Sequence, residues 1–511
     1  MADEKYILGI DIGTTSVKGC IVSQSSRQVV SRQVKDSRAG GVPSELGVEG
    51  NKQDAPTILS ALYNCLSRLP KDQLRNVSQI GICGQMHGVM LWDGEAIASV
   101  GPKHAENVAS GALTDQRLEV PSGSVSHVYT WQDSRCSPEF LRSLPKPRSS
   151  HLRVASGFGC ATLFWKQRYQ PEKLQNSPFT QAGTVQDFIV ALLCGLSHPV
   201  MSVQNAASWG YFDTEAMSWE TDLLAEDGFP VHLLPPTVVA SGSVAGHLVN
   251  SWYGIPAGTP VGAALGDLPC SVLATLVGET DAVMNVSTSA QLAFVMPEGY
   301  RPVPFMATED TGSPGTGPSL ETVEYFPYFD GRYLSVAASM NGGNVLAAYV
   351  AALQRWVGEL SGGKHGVPQA KVWECILKLG EAEEGKTSSM KIQPLLFGER
   401  HCPERRASIE GIGPSSLGLG PITKALCVGL VDNIHRMMPQ EKLLASGVKR
   451  LLGVGSALAR NKILQSCVRE RYELRSSSEG EEGAGEQLEV VFTSAGDAAF
   501  GAALAMLPKL A

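Results

Sequence analysis

The sequence predicts an α/β protein of two similarly folded domains that face a shared cleft. The chain has 511 residues, which is more than a single hydrophobic core usually serves. It opens on a buried strand, a turn of small hydroxyl residues and a returning strand, and the same order recurs at 282–295. We therefore expect residues 1–279 and 280–511 to form one domain each.

The composition is that of an ordinary globular protein, with 43% hydrophobic and 18% charged residues. A net charge of −8 favours solubility and argues against binding to nucleic acid. The apolar runs are too short to span a membrane, and the charged first residues lead into a strand, so we expect neither a membrane anchor nor a signal peptide. The 11 cysteines are scattered without a CxxC pair, which predicts reduced thiols and a cytoplasmic location.

The individual elements follow from hydrophobic periodicity. Strands are predicted where short runs are apolar or alternate between apolar and polar residues, at 6–10, 16–22, 28–34, 77–83, 89–92, 282–286 and 291–295. Helices are predicted where apolar residues share one face, at 55–69, 158–168, 186–194, 269–277, 344–352 and 459–467. Two segments rich in Gly, Ser and charge, 101–126 and 476–487, are predicted to be exposed loops.

The turn after the first strand has the composition of a phosphate-binding hairpin. Such a hairpin needs free backbone N–H groups, small residues and hydroxyl groups. The candidates are Asp11, Gly13, Thr14, Thr15, Ser16 and Lys18. The carboxylate of Asp11 suits Mg²⁺, since hard cations prefer oxygen ligands. A surface β-turn with a capping aspartate would use the same residues, but the equivalent turn at Ser287 and Thr288 favours phosphate binding.

Two strand ends carry candidates for the acceptor and for proton transfer. Gln85, Met86 and His87 follow a buried strand, where ligands of α/β proteins bind. Gln85 and His87 are suited to hydrogen-bond sugar hydroxyls and Met86 to pack on the carbon skeleton, although a lone histidine in a loop is often structural. Asp267 follows another apolar stretch and is placed for a general base, or for a cap on the helix that follows.

Two glycine-rich turns are candidates for the nucleotide. Gly455 and Ser456 lie between a predicted strand and a helix, where Arg460 or Asn461 could reach an adenine. Gly343 precedes another helix, whose N-terminus suits a phosphate. Each of these signals is weak alone.

Taken in order, these segments resemble the FGGY family of carbohydrate kinases over nearly the whole chain. The matching stretches are DIGTTSVKG and NVSTSAQ for the two phosphate motifs, GICGQMHGVMLWD for the substrate, GDLPCS for the catalytic aspartate, PLLFGERHCP, GVGSALARNKILQ for adenosine, and SAGDAAFGAAL. The resemblance implies two actin-like (ribonuclease H-like) domains, ATP with Mg²⁺, and Asp267 as the base that takes a proton from a primary hydroxyl.

Four further stretches resemble one branch of the family, whose acceptor is a seven-carbon ketose that feeds the pentose phosphate route. They are WQDSRCSPEFLRSLP, QNAASWGYF, GFPVHLLP and NGGNVLA. Two positions depart from the family pattern: Ser287 stands where many relatives have Gly, and Ser456 where Gly or Ala is frequent. The expected partners are the ketose and ATP, and the expected state is a monomer or homodimer.

Three alternatives remain open at this point. The nearest is another ketose or polyol kinase of the same family, of xylulokinase type. An Hsp70-like ATPase shares the first hairpin but places an acid and glycines in the second turn, which 285–289 lacks. A non-catalytic sugar sensor on the same scaffold would not need to retain both Asp11 and Asp267.

Overall fold

The computed structural model describes residues 4–47, 50–101, 117–304, 322–387, 389–402, 404–473, 487–493 and 496–507. Most of the two predicted polar loops, 102–116 and 476–486, lies outside these residues. None of the described helices is both long enough and apolar enough to cross a membrane.

The first half of the chain combines a central sheet with helices and short two-stranded sheets. Its strands are β1 (Tyr6–Ile12), β2 (Ser16–Ser23), β3 (Val29–Asp36), β4 (Lys52–Gln53), β5 (Val77–Gly84), β6 (Met90–Trp92), β7 (Val128–Tyr129), β8 (Gln181–Gly183), β9 (Val200–Ser202), β10 (Phe212–Asp213), β11 (Ser218–Trp219), β12 (Thr237–Val239), β13 (Val244–His247), β14 (Pro260–Gly262) and β15 (Leu265–Gly266). Its helices are α1 (Ala55–Leu66), α2 (Lys71–Leu74), α3 (Gly94–Ala98), α4 (Pro138–Arg142), α5 (Gly159–Tyr169), α6 (Pro171–Gln175), α7 (Val185–Cys194), α8 (Val203–Ala207), α9 (Thr221–Glu226) and α10 (Asp267–Thr275).

The second half is built in the same way around its own sheet. Its strands are β16 (Asp281–Val286), β17 (Ala290–Val295), β18 (Val323–Pro327), β19 (Tyr333–Ser339), β20 (Lys391–Gln393), β21 (Ser408–Glu410), β22 (Arg450–Val454) and β23 (Glu489–Phe492). Its helices are α11 (Gly343–Leu360), α12 (Gln369–Glu381), α13 (Leu419–Met437), α14 (Gln440–Ala445), α15 (Ser456–Arg460), α16 (Lys462–Tyr472) and α17 (Ala498–Ala505).

The two large sheets share one strand order. In the first, the order is β3-β2-β1-β5-β14, with β1–β3 antiparallel and β1, β5 and β14 parallel. In the second, the order β19-β17-β16-β22-β23 has the same directions at each step. The repeat predicted from two strand–turn–strand segments therefore extends to five strands. The domain limits 1–279 and 280–511 stay a prediction.

Burial follows the sequence pattern of the strands. β1 is apolar except for Asp11, and all but its first residue are buried, as expected for a central strand covered on both faces. β3 alternates between half-buried and exposed residues, as expected for an edge strand. The helices α1 and α7 cover the first sheet, and their apolar residues share one core with β1 and β5.

The last described helix, α17, returns from the second half and packs on the first sheet. Glycines allow this close contact: a Cβ on Gly9 would lie 1.9 Å from the carbonyl oxygen of Ala499, and one on Gly81 would lie 2.0 Å from that of Ala502. On its other side, Gly501 faces the backbone of Cys270 in α10. α17 is thus held between the first sheet and α10.

Several predicted helix bounds were wrong. α10 begins at Asp267 rather than at 269, because Pro269, which has no N–H, fits a first helical turn where that group would lack a partner. The predicted helix 459–467 is two helices, α15 and α16, separated at Asn461, whose backbone is extended. The predicted helix 344–352 is longer, since α11 continues to Leu360.

Candidate active site

Three parallel strands of the first sheet end together and bring the predicted site residues to one edge. β5 lies between β1 and β15, and Gly84 is in register with both Ile12 and Gly266. Because parallel strands present their carboxyl ends at the same edge, Asp11, Gln85 and Asp267 meet there. The fold thus brings three of the predicted site residues to one place.

Asp11 carries a buried carboxylate with one oxygen left over. Its side chain is 4% exposed, and Oδ2 accepts a hydrogen bond from Lys18 Nζ at 2.9 Å, across the β1–β2 pair. Oδ1 is buried and has no partner among the described residues. Burial raises the pKa of Asp11, against the opposing effect of Lys18. A buried carboxylate oxygen without a partner is costly, which suits a site completed by a cation or its water.

Asp267 is the first residue of α10, and its carboxyl titrates near neutrality. Burial, and then the charge of Asp11, raise its pKa from 3.8 to about 7. Its Oδ1 accepts a hydrogen bond from the N–H of Leu268 at 2.8 Å, and the cap position itself is Gly266. Asp267 therefore contributes to the helix start, as one alternative predicted, and its raised pKa also suits a general base.

Gln85 belongs to a network of buried glutamines. Its Nε2 donates to Gln53 Oε1 at 2.9 Å, and Gln53 Nε2 in turn donates to the carbonyl of Thr14. Gln186 Nε2 donates to the carbonyl of Gln85, and the N–H of Gly266 donates to the side chain of Gln204. Within the described chain, Gln85 Oε1, Gln186 Oε1 and Gln204 Nε2 are buried without a partner.

His87 is held as a neutral, oriented ring. Its backbone has a φ of 73°, which is strained for a residue other than glycine. The ring stacks on Phe158 with centroids 4.3 Å apart, and Nδ1 donates to the carbonyl of Ser208 at 3.0 Å. Burial, and then the charge of Arg400, lower its pKa well below 6.5. Nε2 is therefore left as a hydrogen-bond acceptor.

Met86 is buried against the strand end that precedes the catalytic candidate. A Cβ on Gly266 would lie 2.6 Å from Met86 Sδ, so a larger residue there would displace the Met86 side chain. Met86 is 6% exposed. Its predicted contact with a sugar skeleton stays a prediction.

A second cluster lies at the matching edge of the second sheet. The N–H groups of Gly343 and Asn344 donate to the carbonyls of Ser287 and Thr288 at 2.8 and 3.0 Å, which joins the start of α11 to the β16–β17 turn. The N–H of Ser456 approaches Ser287 Oγ at 3.4 Å. Five predicted nucleotide residues are thus adjacent, namely Ser287, Thr288, Gly343, Gly455 and Ser456.

Glycine is required at one position of this cluster. Gly455 has a φ of 101°, and a Cβ there would lie 2.4 Å from the carbonyl oxygen of Val286. The chain at the end of β22 therefore passes closer to the β16–β17 turn than it could if position 455 carried a side chain.

Asn461 does not join this cluster. Its side chain is 3% exposed, Oδ1 accepts from the N–H groups of Ile463 and Leu464, and Nδ2 contacts Cys427 Sγ. The residue is the N-cap of α16, so the predicted adenine contact is not supported by its surroundings.

Several residues that surround the site were not predicted from the sequence. Trp131 Nε1 donates to Thr14 Oγ1 at 2.9 Å, which fixes the hydroxyl of a predicted phosphate residue. Gln53, Gln186 and Gln204 support the strand ends from distant parts of the chain. Trp131 begins the stretch WQDSRCSPEFLRSLP, whose resemblance to one branch of the family was a usable signal. An isolated glutamine gives no such signal.

A metal would be held mainly by its nucleotide and by Asp11. Within the described residues, no group of three or more His, Cys, Asp or Glu side chains is arranged to hold a metal ion. The free Oδ1 of Asp11 and the small residue Gly13, whose Cβ position is 3.8 Å from both carboxylate oxygens, leave room for an ion or its water. The residues present therefore fit Mg²⁺ bound together with phosphates.

The fold and the site define a class of protein. Residues 6–102 match the N-terminal domain of the FGGY family of carbohydrate kinases. Together with the full-length relatives described next, this match shows that the chain belongs to that family and is a carbohydrate kinase.

More particularly, the chain is similar over its whole length to two sedoheptulokinases. It is 44% identical to that of Homo sapiens over 516 residues, covering 100% of this chain and 98% of the relative. It is 43% identical to that of Mus musculus over 514 residues, with the same coverage. A xylulose kinase of Bacillus subtilis is 24% identical over 297 residues, or 56% of this chain.

Solved structures share the fold at low identity. A xylulose kinase from Rhodospirillum rubrum aligns over 98% of this chain and 90% of its own, with a TM-score of 0.68 and 16% identity. A glycerol kinase from Plasmodium falciparum, solved with ADP, aligns over 98% and 89%, with a TM-score of 0.67 and 16% identity. The predicted fold class of two actin-like α/β domains is confirmed.

Proposed function

We propose that this kinase transfers the γ-phosphoryl group of ATP to the terminal primary hydroxyl of sedoheptulose, giving sedoheptulose 7-phosphate. The assignment of sedoheptulose as the substrate rests on the 44% identity to a sedoheptulokinase over the whole chain. Xylulose kinases match at lower identity and over about half of the chain, so they support the reaction class more than the sugar.

The acceptor binds at the edge formed by β1, β5 and β15. His87 Nε2 offers an acceptor and the free Oε1 of Gln85 another, so the two side chains take hydrogen bonds from neighbouring hydroxyls of the ketose. Sites that hydrogen-bond a substrate hydroxyl discriminate strongly against molecules that lack it, because the buried protein group is then left unpaired.

Asp267 acts as the general base in this proposal. Its ionised carboxylate orients the terminal hydroxyl and takes the proton as the oxygen bonds to phosphorus. A pKa of about 7 leaves a large ionised fraction at neutral pH while keeping the group basic enough to accept a proton. Nearby Asp11 favours the protonated product state of Asp267, because it repels a second negative charge.

ATP with Mg²⁺ supplies the phosphoryl group and neutralises its charge. We place the phosphates between the turn of Asp11 to Lys18 and the cluster around Ser287. The N–H groups of Gly13, Ser287 and Gly343 already donate to carbonyls of the protein. The donors proposed for phosphate are therefore the other backbone N–H groups and the hydroxyls of these turns, and Asp11 Oδ1 would hold the ion or its water. Gly455 and Ser456 border the nucleoside.

The proposed location is the cytoplasm, and the proposed state a monomer or homodimer. All 11 cysteines, each within the described residues, are free thiols, and nine of them are buried. Thiols stay reduced in the cytosol, which supports this location.

The experiment that tests the function is ADP release by the purified protein with Mg²⁺–ATP over sedoheptulose, D-xylulose, D-ribulose and glycerol. The position of the phosphate is read from phosphorus–proton coupling in the product spectrum. We expect a preference for sedoheptulose and coupling to the C7 protons. Preference for D-xylulose would keep the reaction class and overturn the substrate, and ADP release without any sugar would favour an ATPase.

A further inference from the structure

Arg400 brings a positive charge from the second half of the chain to the acceptor motif. Its guanidinium carbon lies 5.1 Å from the centroid of the Phe158 ring, the ring on which His87 stacks. It is close enough to His87 to lower the pKa of the imidazole. Phe326, from the second sheet, packs edge-on to His87 with centroids 5.9 Å apart, so both halves of the chain surround this histidine.

The guanidinium is enclosed without a full set of partners. Arg400 Nε is buried and has no hydrogen-bond partner among the described residues. Among the described carboxylates, Glu324 and then Glu399 have the largest effects on the pKa of Arg400, and both raise it. Neither forms an ion pair with Arg400 within 4.0 Å. Burial lowers the pKa of the guanidinium, which nevertheless remains charged. A buried donor without an acceptor is unfavourable unless a ligand supplies one.

Glu399 fixes the backbone next to Arg400 through hydrogen bonds to its carboxylate. The Glu399 carboxylate is 2% exposed and accepts hydrogen bonds from the Met340 N–H and from the side chains of Ser339, Asn341 and Asn433. Asn341 also bonds the preceding backbone: its Nδ2 donates to the carbonyl of Gly398, and its Oδ1 accepts from the N–H of Phe397. Such a clamp defines where the next side chain points.

We propose that Arg400 is a specificity-determining residue that donates hydrogen bonds to the hydroxyls of the ketose far from the phosphorylated end. A row of contacts runs from Asp267 through Gly266 and Met86 to His87 and then, across Phe158, to Arg400. A long acceptor whose terminal hydroxyl lies at Asp267 extends along this row. The inference rests on the proposed function and deepens it.

Arg400 and His87 have complementary roles in this arrangement. The guanidinium only donates and neutral His87 accepts through Nε2, so the ketose hydroxyls meet an acceptor at His87 and donors at Arg400. A three-carbon acceptor bound at Asp267 has fewer carbons and hydroxyls beyond the reacting end with which to reach this pair. Arg400 therefore favours long acceptors, and it does so only when the second half of the chain covers the site.

The test compares Arg400→Met, which keeps length and removes every donor, with Arg400→Lys, which keeps the charge. The control is Arg405→Met, an exposed arginine of the same segment. KM for the acceptor, kcat and KM for ATP are measured with sedoheptulose, D-xylulose and glycerol. Thermal midpoints show whether each variant folds, and the lysine variant supplies the answer if the methionine variant does not.

We expect Arg400→Met to lower kcat/KM for sedoheptulose by about 10- to 100-fold, which is the loss of a hydrogen bond from a charged group. The loss should appear in the acceptor KM, leave KM for ATP unchanged, and be smallest for glycerol. Arg400→Lys should recover part of it, and Arg405→Met should match the wild type.

Equal losses on all three acceptors with a raised KM for ATP would place Arg400 on the nucleotide and overturn the proposal. Unchanged kinetics in a folded Arg400→Met protein would overturn it as well. Failure of the proposed function is a separate result, because the wild-type protein itself would then not use sedoheptulose.

Discussion

Replacement of Asp267 by Asn should stabilise the protein, and more so at higher pH. The fold raises the pKa of this carboxyl from 3.8 to about 7, so between these values the folded state binds more protons than the unfolded state. The stability of the wild type therefore falls as pH rises through this window. Because a pKa change of one corresponds to about 1.4 kcal/mol, ionised Asp267 costs the fold at most roughly 4 kcal/mol above pH 7.

Asparagine keeps the acceptor for the Leu268 N–H and removes the charge, so the comparison isolates this cost. The assay is urea unfolding of both proteins at pH 5 and pH 8 with a chelator present, since a bound cation would stabilise the ionised form. We expect the advantage of Asp267→Asn to grow by roughly 2–3 kcal/mol between the two pH values. The exposed control Asp36→Asn should show no such growth. An advantage that does not change with pH, or a wild type that is more stable at pH 8, would refute the reasoning.

Three further predictions concern activity and packing. The kcat/KM for the ketose should fall about tenfold per pH unit below about 7, because Asp267 must be ionised to accept a proton, and a flat profile from pH 5 to 8 would contradict this. Gly501→Ala should destabilise the protein by about 1–3 kcal/mol or more in urea unfolding, since its Cβ would lie 1.9 Å from the Cys270 carbonyl oxygen, whereas Gly40→Ala, with open space around it, should be neutral. Asn461→Ala should cost about 1 kcal/mol of stability through the lost helix cap and leave KM for ATP unchanged, and a raised KM with unchanged stability would restore the adenine contact.

Local patterns were sufficient for the strands and turns that frame the site. The apolar run 6–10 of β1 is followed by Asp11, and β5 ends at Gly84, so the approximate ends of both strands could be predicted without knowledge of the fold. The structure pairs β1 and β5 as parallel neighbours, and the meeting of Asp11 and Gln85 then follows from sheet geometry. The same holds for the second sheet, where the hydroxyl turn at Ser287 marked the matching edge.

Contacts between distant segments could not be predicted in this way. The glutamine network joins residues from four separate parts of the chain, and a glutamine has no pattern that shows whether it is buried. The return of α17 to the first sheet depends on Gly9 and Gly81, whose role appears only when the facing backbone is known. The helix break that Asn461 caps interrupts an otherwise helical pattern, so its place at the start of α16 could not be predicted.

The central claim is that Asp267 takes the proton from a ketose hydroxyl bound beside Gln85 and His87. The most direct test is the turnover of Asp267→Asn with Mg²⁺–ATP and sedoheptulose, with the binding of each substrate measured separately by titration calorimetry. The account predicts that both substrates still bind while turnover falls by about 10²- to 10⁴-fold. Turnover close to that of the wild type, with both substrates bound, would contradict it.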